Sequence, residues 1–407
     1  MYRFLVGVVA LWTSLWSFVA AEEFGALARV LPQDSLILDE GRRSVSMTLG
    51  MSQAVPYRVF TLQDPARLVI DFREVDWTGL SSEQLLQSEQ ITQVQFGTYV
   101  PGWSRMVLEL AEPMAVDQAD MSIDAVTSNA WLQLRLEQVS EEKFAETAGA
   151  PRDPRWDLPD AQELPDVQLR DDDAPLHVVL DAGHGGIDPG AEVGHVVEKH
   201  LMLRFARELR DVLVRSGGFR VTLIRDGDHF VSLESRVTLA HRAGADVFLS
   251  LHADSLSEGL AHGATVYFLS EDASDLASAK LAERHDRGDL LAGVDLSDAD
   301  DQVTDVLLDL ARQETRPRTQ ALAQALVTAM AQTGGPMNRR PLRSAGFSVL
   351  KAADIPSVLI EIGFLSSPRD VKNLTDPAWR AKMAVAIRNG LAAWREADIA
   401  RRELVRQ

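Results

Sequence analysis

From about Ser35 to Glu137 apolar and polar residues alternate with period two in short runs: SLILDE, RSVSMTLG, YRVFTLQ, RLVIDF, ITQVQFGTYV, SRMVLELAE and WLQLRLE. Gly, Pro, Asp and Asn separate them. Successive side chains of a strand point to opposite faces, so this pattern predicts an all-β domain of about a hundred residues, a small sandwich. After residue 176 the period changes. Val178 to Asp181 reads as a short apolar strand, and Leu201, Ala206, Leu209, Val212 and Leu213 recur at helical spacing along a helix from about Glu198 to Ser216. Strand Arg220–Ile224, helix Leu233–Ala243, strands Val247–Leu251 and Ala264–Leu269, helical segments between about Asp272 and Thr333, strands Phe347–Leu350 and Val358–Glu361 and a helix near Pro377–Ala393 follow. Such alternation predicts an α/β domain, a mostly parallel sheet with helices on both faces.

Residues 139–175 fit neither period. They hold Pro151, Pro154, Pro159, Pro165 and Pro175, and eleven acids against Lys143, Arg152, Arg155 and Arg170. Too few apolar residues are present to offset the entropy of ordering, so the segment reads as an extended, solvated linker. The chain opens MYRFLVGVVALWTSLWSFVAAEE, with Arg3 before an apolar run and small residues before two acids. That is the layout of a signal peptide, with Val19 and Ala21 at the −3 and −1 positions of a cut; an uncleaved membrane anchor is the alternative. The expected division is therefore a signal peptide at 1–21, the β domain at 22–138, the linker at 139–175 and the α/β domain at 176–397.

Charge and composition narrow the chemistry. The 407 residues carry a formal net charge of −19, with no cluster of Lys and Arg to meet a phosphate backbone, so nucleic acid is not expected as a partner. Cysteine is absent. That removes disulfides, thiolate ligands and a Cys nucleophile, and leaves any metal to His and carboxylate.

In parallel α/β sheets ligands gather beyond the carboxyl ends of the strands. His184 follows the first strand in HVVLDAGHGGIDPGA, Glu198 opens the first helix, His252 follows the strand in VFLSLHAD, and Glu361 ends the strand in SVLIEIGF. The run GHGGIDPG fits neither the dinucleotide nor the phosphate-loop spacing. Taken singly, Glu198 reads as a favourable acid at a helix N-terminus, His252 as a core imidazole and Glu361 as the cap of a buried strand. Taken together, two imidazoles and one carboxylate make a three-ligand site with a fourth position open, the arrangement of catalytic zinc rather than of magnesium or calcium. A metal of this kind lowers the pKa of water from about 15.7 to around 7, and a carboxylate in an apolar setting such as Glu361 suits the accompanying proton transfer. His195 and His200 flank Glu198 and read as surface residues, while His177, His229, His241 and His262 lack a strand-end position.

LDAGHGGIDPGA, Glu198-Lys199, SLHAD at 250–254 and VLIEIGFLSSP resemble, in that order, the zinc-dependent N-acetylmuramoyl-L-alanine amidases of the bacterial cell wall, over essentially all of 176–397. The resemblance implies one zinc ion held by His184, Glu198 and His252, and Glu361 as the catalytic carboxylate. It implies hydrolysis of the amide between the lactyl group of N-acetylmuramic acid and the L-alanine of the stem peptide. The β-rich region, chiefly PYRVFTLQDPARLVIDF, is similar to the N-terminal targeting domain of periplasmic amidases, which implies peptidoglycan binding, a periplasmic location and a role in daughter-cell separation. A zinc peptidase or deacetylase acting on the same polymer, and a non-catalytic wall-binding protein, are the rival readings.

An acidic insertion of helical pattern occupies about 272–314. It is similar to the regulatory segment of division-associated members, in which a helix covers the zinc site until a periplasmic activator displaces it. The family pattern of Glu-Asn is replaced here by His285-Asp286, so Glu283, His285 and Asp286 are all candidates to reach the metal. A plain surface helix is the alternative.

Overall fold

The computed structural model describes residues 28–151, 174–291 and 304–405, apart from positions 74, 101, 125, 257–260, 271 and 334. The expected signal peptide, residues 152–173 of the linker and residues 292–303 of the insertion lie outside the described residues.

The period-two segment folds into strands β1 (Ala28–Asp39), β2 (Ser44–Met51), β3 (Tyr57–Leu62), β4 (Arg67–Arg73), β5 (Ile91–Val100), β6 (Trp103–Leu110), β7 (Met114–Ile123) and β8 (Ala130–Gln138). They form two sheets, ordered β1-β2-β8-β7 and β3-β4-β6-β5, with short strands Val75–Asp76 and Leu86–Gln87 beside β1. Ile37, Val45, Met47 and Leu49 of the first sheet share one buried cluster with Leu68, Ile70, Phe72 and Leu108 of the second. Strand β7 was not anticipated, because its mostly exposed positions carry little alternation. Within the expected linker, Ser140 caps a helix, Glu141–Thr147, whose Phe144 is buried in the sandwich core.

Strand β4 is buried along nearly its whole length. Leu68, Ile70 and Phe72 face the sandwich core, while Val69 on the opposite face packs with Phe60, Leu62 and Val107 against Ile187 and Phe230 of the second domain. Burying side chains such as these two is worth about 1.5–3 kcal/mol apiece. The two domains therefore touch through a continuous apolar contact.

The second domain is built on strands β9 (Leu176–Ala182), β10 (Phe219–Leu223), β11 (Val247–His252), β12 (Ala264–Leu269), β13 (Met337–Ala345) and β14 (Ser357–Glu361), in the order β10-β9-β11-β14-β12-β13. All neighbouring pairs are parallel except β12 with β14. Its longer helices are α1 (Glu198–Ser216), α2 (Leu233–Arg242), α3 (Leu276–Leu291), α4 (Thr304–Thr333) and α5 (Pro377–Val405), with a short helix Pro368–Thr375 before the last. Val178, Leu180, Leu249 and Val358 pack on one face with Leu209 of α1, Leu326 of α4 and Ile387 of α5. Val179, Phe248 and Leu359 pack on the other with Ala240 of α2 and Leu281 of α3. Burial on both faces is why these strands read as unbroken apolar runs.

One strand was expected in the wrong place. Ser348–Leu350 is a 3-10 turn with Phe347, Val349 and Leu350 buried, since a short apolar run does not distinguish strand from buried turn. The edge strand is instead β13, MNRRPLRSA, whose half-exposed, arginine-rich sequence shows no alternation.

Candidate metal centre

Strand β9 delivers the chain into the glycine-rich turn at its carboxyl end. There His184 takes φ 59°, a left-handed conformation uncommon for any residue but glycine and a mark of local constraint. Space is as tight as the backbone. A Cβ at Gly183 would overlap the His252 ring, and one at Gly190 would come 2.6 Å from His184 Cδ2 and 2.8 Å from Glu198 Oε2.

His252 and Glu361 are the last residues of β11 and β14 and are partners in register. Glu198 is the first residue of α1 and wholly buried. Its Oε1 lies 3.3 Å from His184 Nε2 and 3.2 Å from His252 Nδ1. The backbone fixes the carboxylate: Ala253 N–H donates to Oε1 at 2.8 Å and Ala191 N–H to Oε2 at 2.9 Å. One ligand atom from each of His184, Glu198 and His252 lies within 4.8 Å of the others, and so does one from each of His252, His285 and Glu361. His184 Nε2, His285 Nε2, Asp254 Oδ2 and Glu361 Oε1 are buried with no hydrogen-bond partner. Buried polar atoms are rarely left orphaned, and four in one small cluster, His184 Nε2 beside Glu198 and the other three around His285, fit a cation bound there.

The far side of each imidazole is held. His184 Nδ1 meets Asp188 Oδ2 at 2.7 Å. His252 Nε2 meets Ser250 Oγ at 3.2 Å, and Ser250 donates to Asp181 at 2.7 Å, itself paired with the buried Arg236. Such outer contacts fix ring orientation and leave the inner nitrogen as the ligand atom. Arg236 also donates to the His184 carbonyl at 2.9 Å, and Arg225 ties the Ala182, Gly183 and Lys199 carbonyls together at 2.8–2.9 Å.

Electrostatics separate the groups. Burial disfavours a charged His184, but Asp188 and Glu198 outweigh it and hold the imidazole well above its ordinary value. Burial also works against the Glu198 carboxylate, yet His184 and His252 keep it well below the usual range. Glu361 goes the other way: burial, then Glu198 and Asp254, push it well above. Asp254 is raised to about 6 by burial and Glu198. The site thus pairs one carboxylate kept ionised, Glu198, with another that favours its proton, Glu361, a split of the kind acid–base chemistry uses.

The inserted helix α3 reaches this centre through one of its three candidates. His285 is 6% exposed, its Nε2 3.7 Å from both Glu361 Oε1 and Asp254 Oδ2, and its ring centroid 4.2 Å from that of His252. Asp286 turns away to accept from Ser348 N–H at 3.2 Å and its hydroxyl at 2.9 Å, and Glu283 is exposed. Arg284 beside it donates to Asp254 at 3.0 Å and to the Ser255 carbonyl. Sequence reasoning missed Asp188, Asp254, Arg225 and Arg236. The first two sit inside the quoted motifs, four residues after His184 and two after His252; for Asp188 the i+4 spacing in a tight turn was the available signal, while Asp254 acts through groups far off in sequence. His195 is exposed and His200 meets Asp228 at 3.1 Å, away from the centre.

Fold and centre together define a candidate hydrolase of the α/β class with a buried His–Glu–His cluster at the strand ends, and the comparisons give its family. A family model described as N-acetylmuramoyl-L-alanine amidase matches residues 178–393, and one described as AMIN domain matches residues 39–134. The chain belongs to the N-acetylmuramoyl-L-alanine amidase family and is an amidase of that class. It is similar to N-acetylmuramoyl-L-alanine amidase AmiC of Escherichia coli O6:H1, 28% identical over 412 residues that cover 96% of this chain and 95% of the relative. AmiA of Escherichia coli K12 is 39% identical over 220 residues, 53% of this chain and 75% of the relative. The solved structure of AmiC2 from Nostoc punctiforme aligns with 54% of this chain and 97% of its own, at 27% identity and a TM-score of 0.40.

Proposed function

We propose that the chain is a periplasmic, zinc-dependent amidase that strips stem peptides from peptidoglycan during daughter-cell separation, and that its own inserted helix holds it closed. The observation that carries this reading is the convergence of His184, Glu198 and His252 on one point with Glu361 across from it. In this reading those three hold one zinc ion in the catalytic domain, which supplies Lewis-acid charge to polarise a carbonyl and acidify water. Zinc suits a set of two imidazoles and one carboxylate better than an oxygen-seeking cation does.

Glu361 is the proton carrier. Its unpartnered Oε1 faces the centre while Asp254 N–H holds Oε2 at 3.0 Å. It takes a proton from the attacking water and returns it to the stem-peptide nitrogen as the C–N bond breaks, which leaves a lactyl carboxylate and a free L-alanine amine. The raised affinity of Glu361 for a proton favours the first of these transfers, since the stronger base takes the proton more readily.

His285 supports the closed state. It stands where an attacking group and a substrate carbonyl would need room, and Leu281 and Ala282 of the same helix are buried in the domain core. Opening therefore calls for a partner that supplies compensating contacts, an activator protein in the periplasm. A location outside the cytoplasm is supported by the AMIN match at 39–134 and by the apolar N-terminal run expected to be removed as residues 1–21. Among the described residues no helix is long and apolar enough to cross a membrane. The proposed organisation is an AMIN-like wall-binding domain at 22–138 extended by the packed helix Glu141–Thr147, a linker in the rest of 139–175, and a catalytic domain at 176–397 whose last helix runs on to Val405, with its insertion near 272–314.

Digestion of purified sacculi tests the activity. The expected products are peptide-free glycan strands and intact stem peptides. Shortened peptides would indicate a peptidase and released acetate a deacetylase; sacculi left intact even by the chain lacking about 272–314 would indicate a binding protein.

A further inference from the structure

Gly97 lies inside the edge strand β5, and its φ is outside the left-handed region, so backbone freedom does not explain it. Space does. A Cβ at this position would come within 2.8 Å of the Gly186 carbonyl oxygen and the Ile187 nitrogen. Glycine inside a strand marks the close approach of another backbone. Gly186 matches it from the other side, since a Cβ there would overlap the Thr98 carbonyl oxygen.

Hydrogen bonds and rings close the contact. Ile187 N–H donates to Thr98 O at 3.2 Å and Phe230 N–H to Tyr99 O at 3.0 Å, so the edge of the N-terminal sheet is satisfied by loops of the catalytic domain. The Tyr99 and Phe230 rings stack with centroids 5.6 Å apart, and the Arg105 guanidinium, paired with Asp71 at 2.5 Å, covers Tyr99 at 3.6 Å. The docked loop is the one that carries His184. Gly185 and Asp188 exchange backbone hydrogen bonds at 2.9 and 3.1 Å, and the Asp188 carboxylate orients the His184 ring at 2.7 Å. Lys199, next to Glu198, donates to the Gly186 carbonyl at 2.6 Å.

We propose that the N-terminal β domain is a positioning element of the metal centre: strand β5, at Gly97–Tyr99, braces the Gly185–Asp188 turn and through it the His184 ligand. A turn rich in glycine has much backbone entropy to lose, and ligands are held only as well as their supporting contacts. Targeting and ligand positioning are then two tasks of one domain. The second rests on the zinc reading above.

The test uses the full-length chain carrying Gly97→Val, which wedges the two backbones apart, and Phe230→Ala, which removes the stacked ring without adding bulk. Zinc affinity is read by chelator competition, and hydrogen–deuterium exchange is followed at residues 183–190. Expected are a loss of zinc affinity of about 10- to 100-fold, the range for outer-contact lesions, faster exchange at 183–190, and unchanged pull-down by sacculi. Loop exchange at the wild-type rate in both variants overturns the proposal, and so does wild-type zinc affinity. Should Gly97→Val fail to fold, Phe230→Ala decides by the same two readouts. Run on the metal-free chains, the exchange readout is independent of zinc, so a wild-type protein that takes up no zinc would sink the zinc reading while leaving the bracing of the turn separately decided.

Discussion

His252 and Glu361 end two adjacent parallel strands as direct register partners, so the imidazole and the carboxylate project from the same face at the same height of the sheet. Their roles differ in the proposed reaction, one holding metal and one moving a proton. Glu361→Gln is therefore expected to keep its zinc and lose about 10²–10⁴-fold in turnover, the range for a positioned acid–base group. His184→Ala is expected to lose both zinc and activity. Metal analysis alongside a sacculus digestion separates the two, and full zinc in His184→Ala would contradict the ligand assignment.

Asp188 acts on the metal through His184 Nδ1, 2.7 Å away. Asp188→Asn keeps the shape but removes the charge that orients and raises the imidazole. Zinc affinity by chelator competition is expected to fall about 10–100-fold with the fold intact. Unchanged affinity would show that the ring is held by packing alone.

The closed state makes its own demand. His285→Ala, or Arg284→Ala to break the Asp254 and Ser255 contacts, is expected to raise basal hydrolysis of sacculi without an activator. Deleting about 272–314 is expected to do the same in a chain that still melts cooperatively. An unchanged basal rate in these variants counts against autoinhibition.

How much of this was legible beforehand follows from which signals are local. Period-two runs exposed most strands of the sandwich, and strand-end placement exposed His184, Glu198, His252 and Glu361, because both depend on short-range pattern. Strands β7 and β13 were hidden, since edge strands with polar faces carry no alternation. Asp254 and Arg236 were hidden for another reason: they act through groups far off in sequence, Asp254 facing Glu361 and Arg236 reaching Asp181 and the His184 carbonyl. Among Glu283, His285 and Asp286, one turn of helix decided the matter. Only the fold of α3 over the sheet, through Leu281, says which of the three points inward.

Acid should weaken the fold through a histidine remote from the centre. His177 is buried at the start of β9, and burial, helped by the Arg220 guanidinium 2.7 Å from Nδ1, lowers its affinity for a proton. The unfolded chain protonates this residue first as pH falls through the ordinary value of 6.5, so stability is lost on acidification below that value. His177→Gln is expected to flatten the fall in Tm between about pH 7.5 and 5.5 relative to wild type at equal metal loading, a window that spans the ordinary histidine range. Parallel curves for the two proteins would remove His177 from the account.

Anomalous diffraction at the zinc edge from crystals of the full-length chain grown with zinc bears most directly on the metal centre. The expected result is a single strong peak in each chain, at ligand distance from His184 Nε2, a Glu198 carboxylate oxygen and His252 Nδ1. A peak elsewhere, or none at this point while zinc is bound in solution, would contradict it.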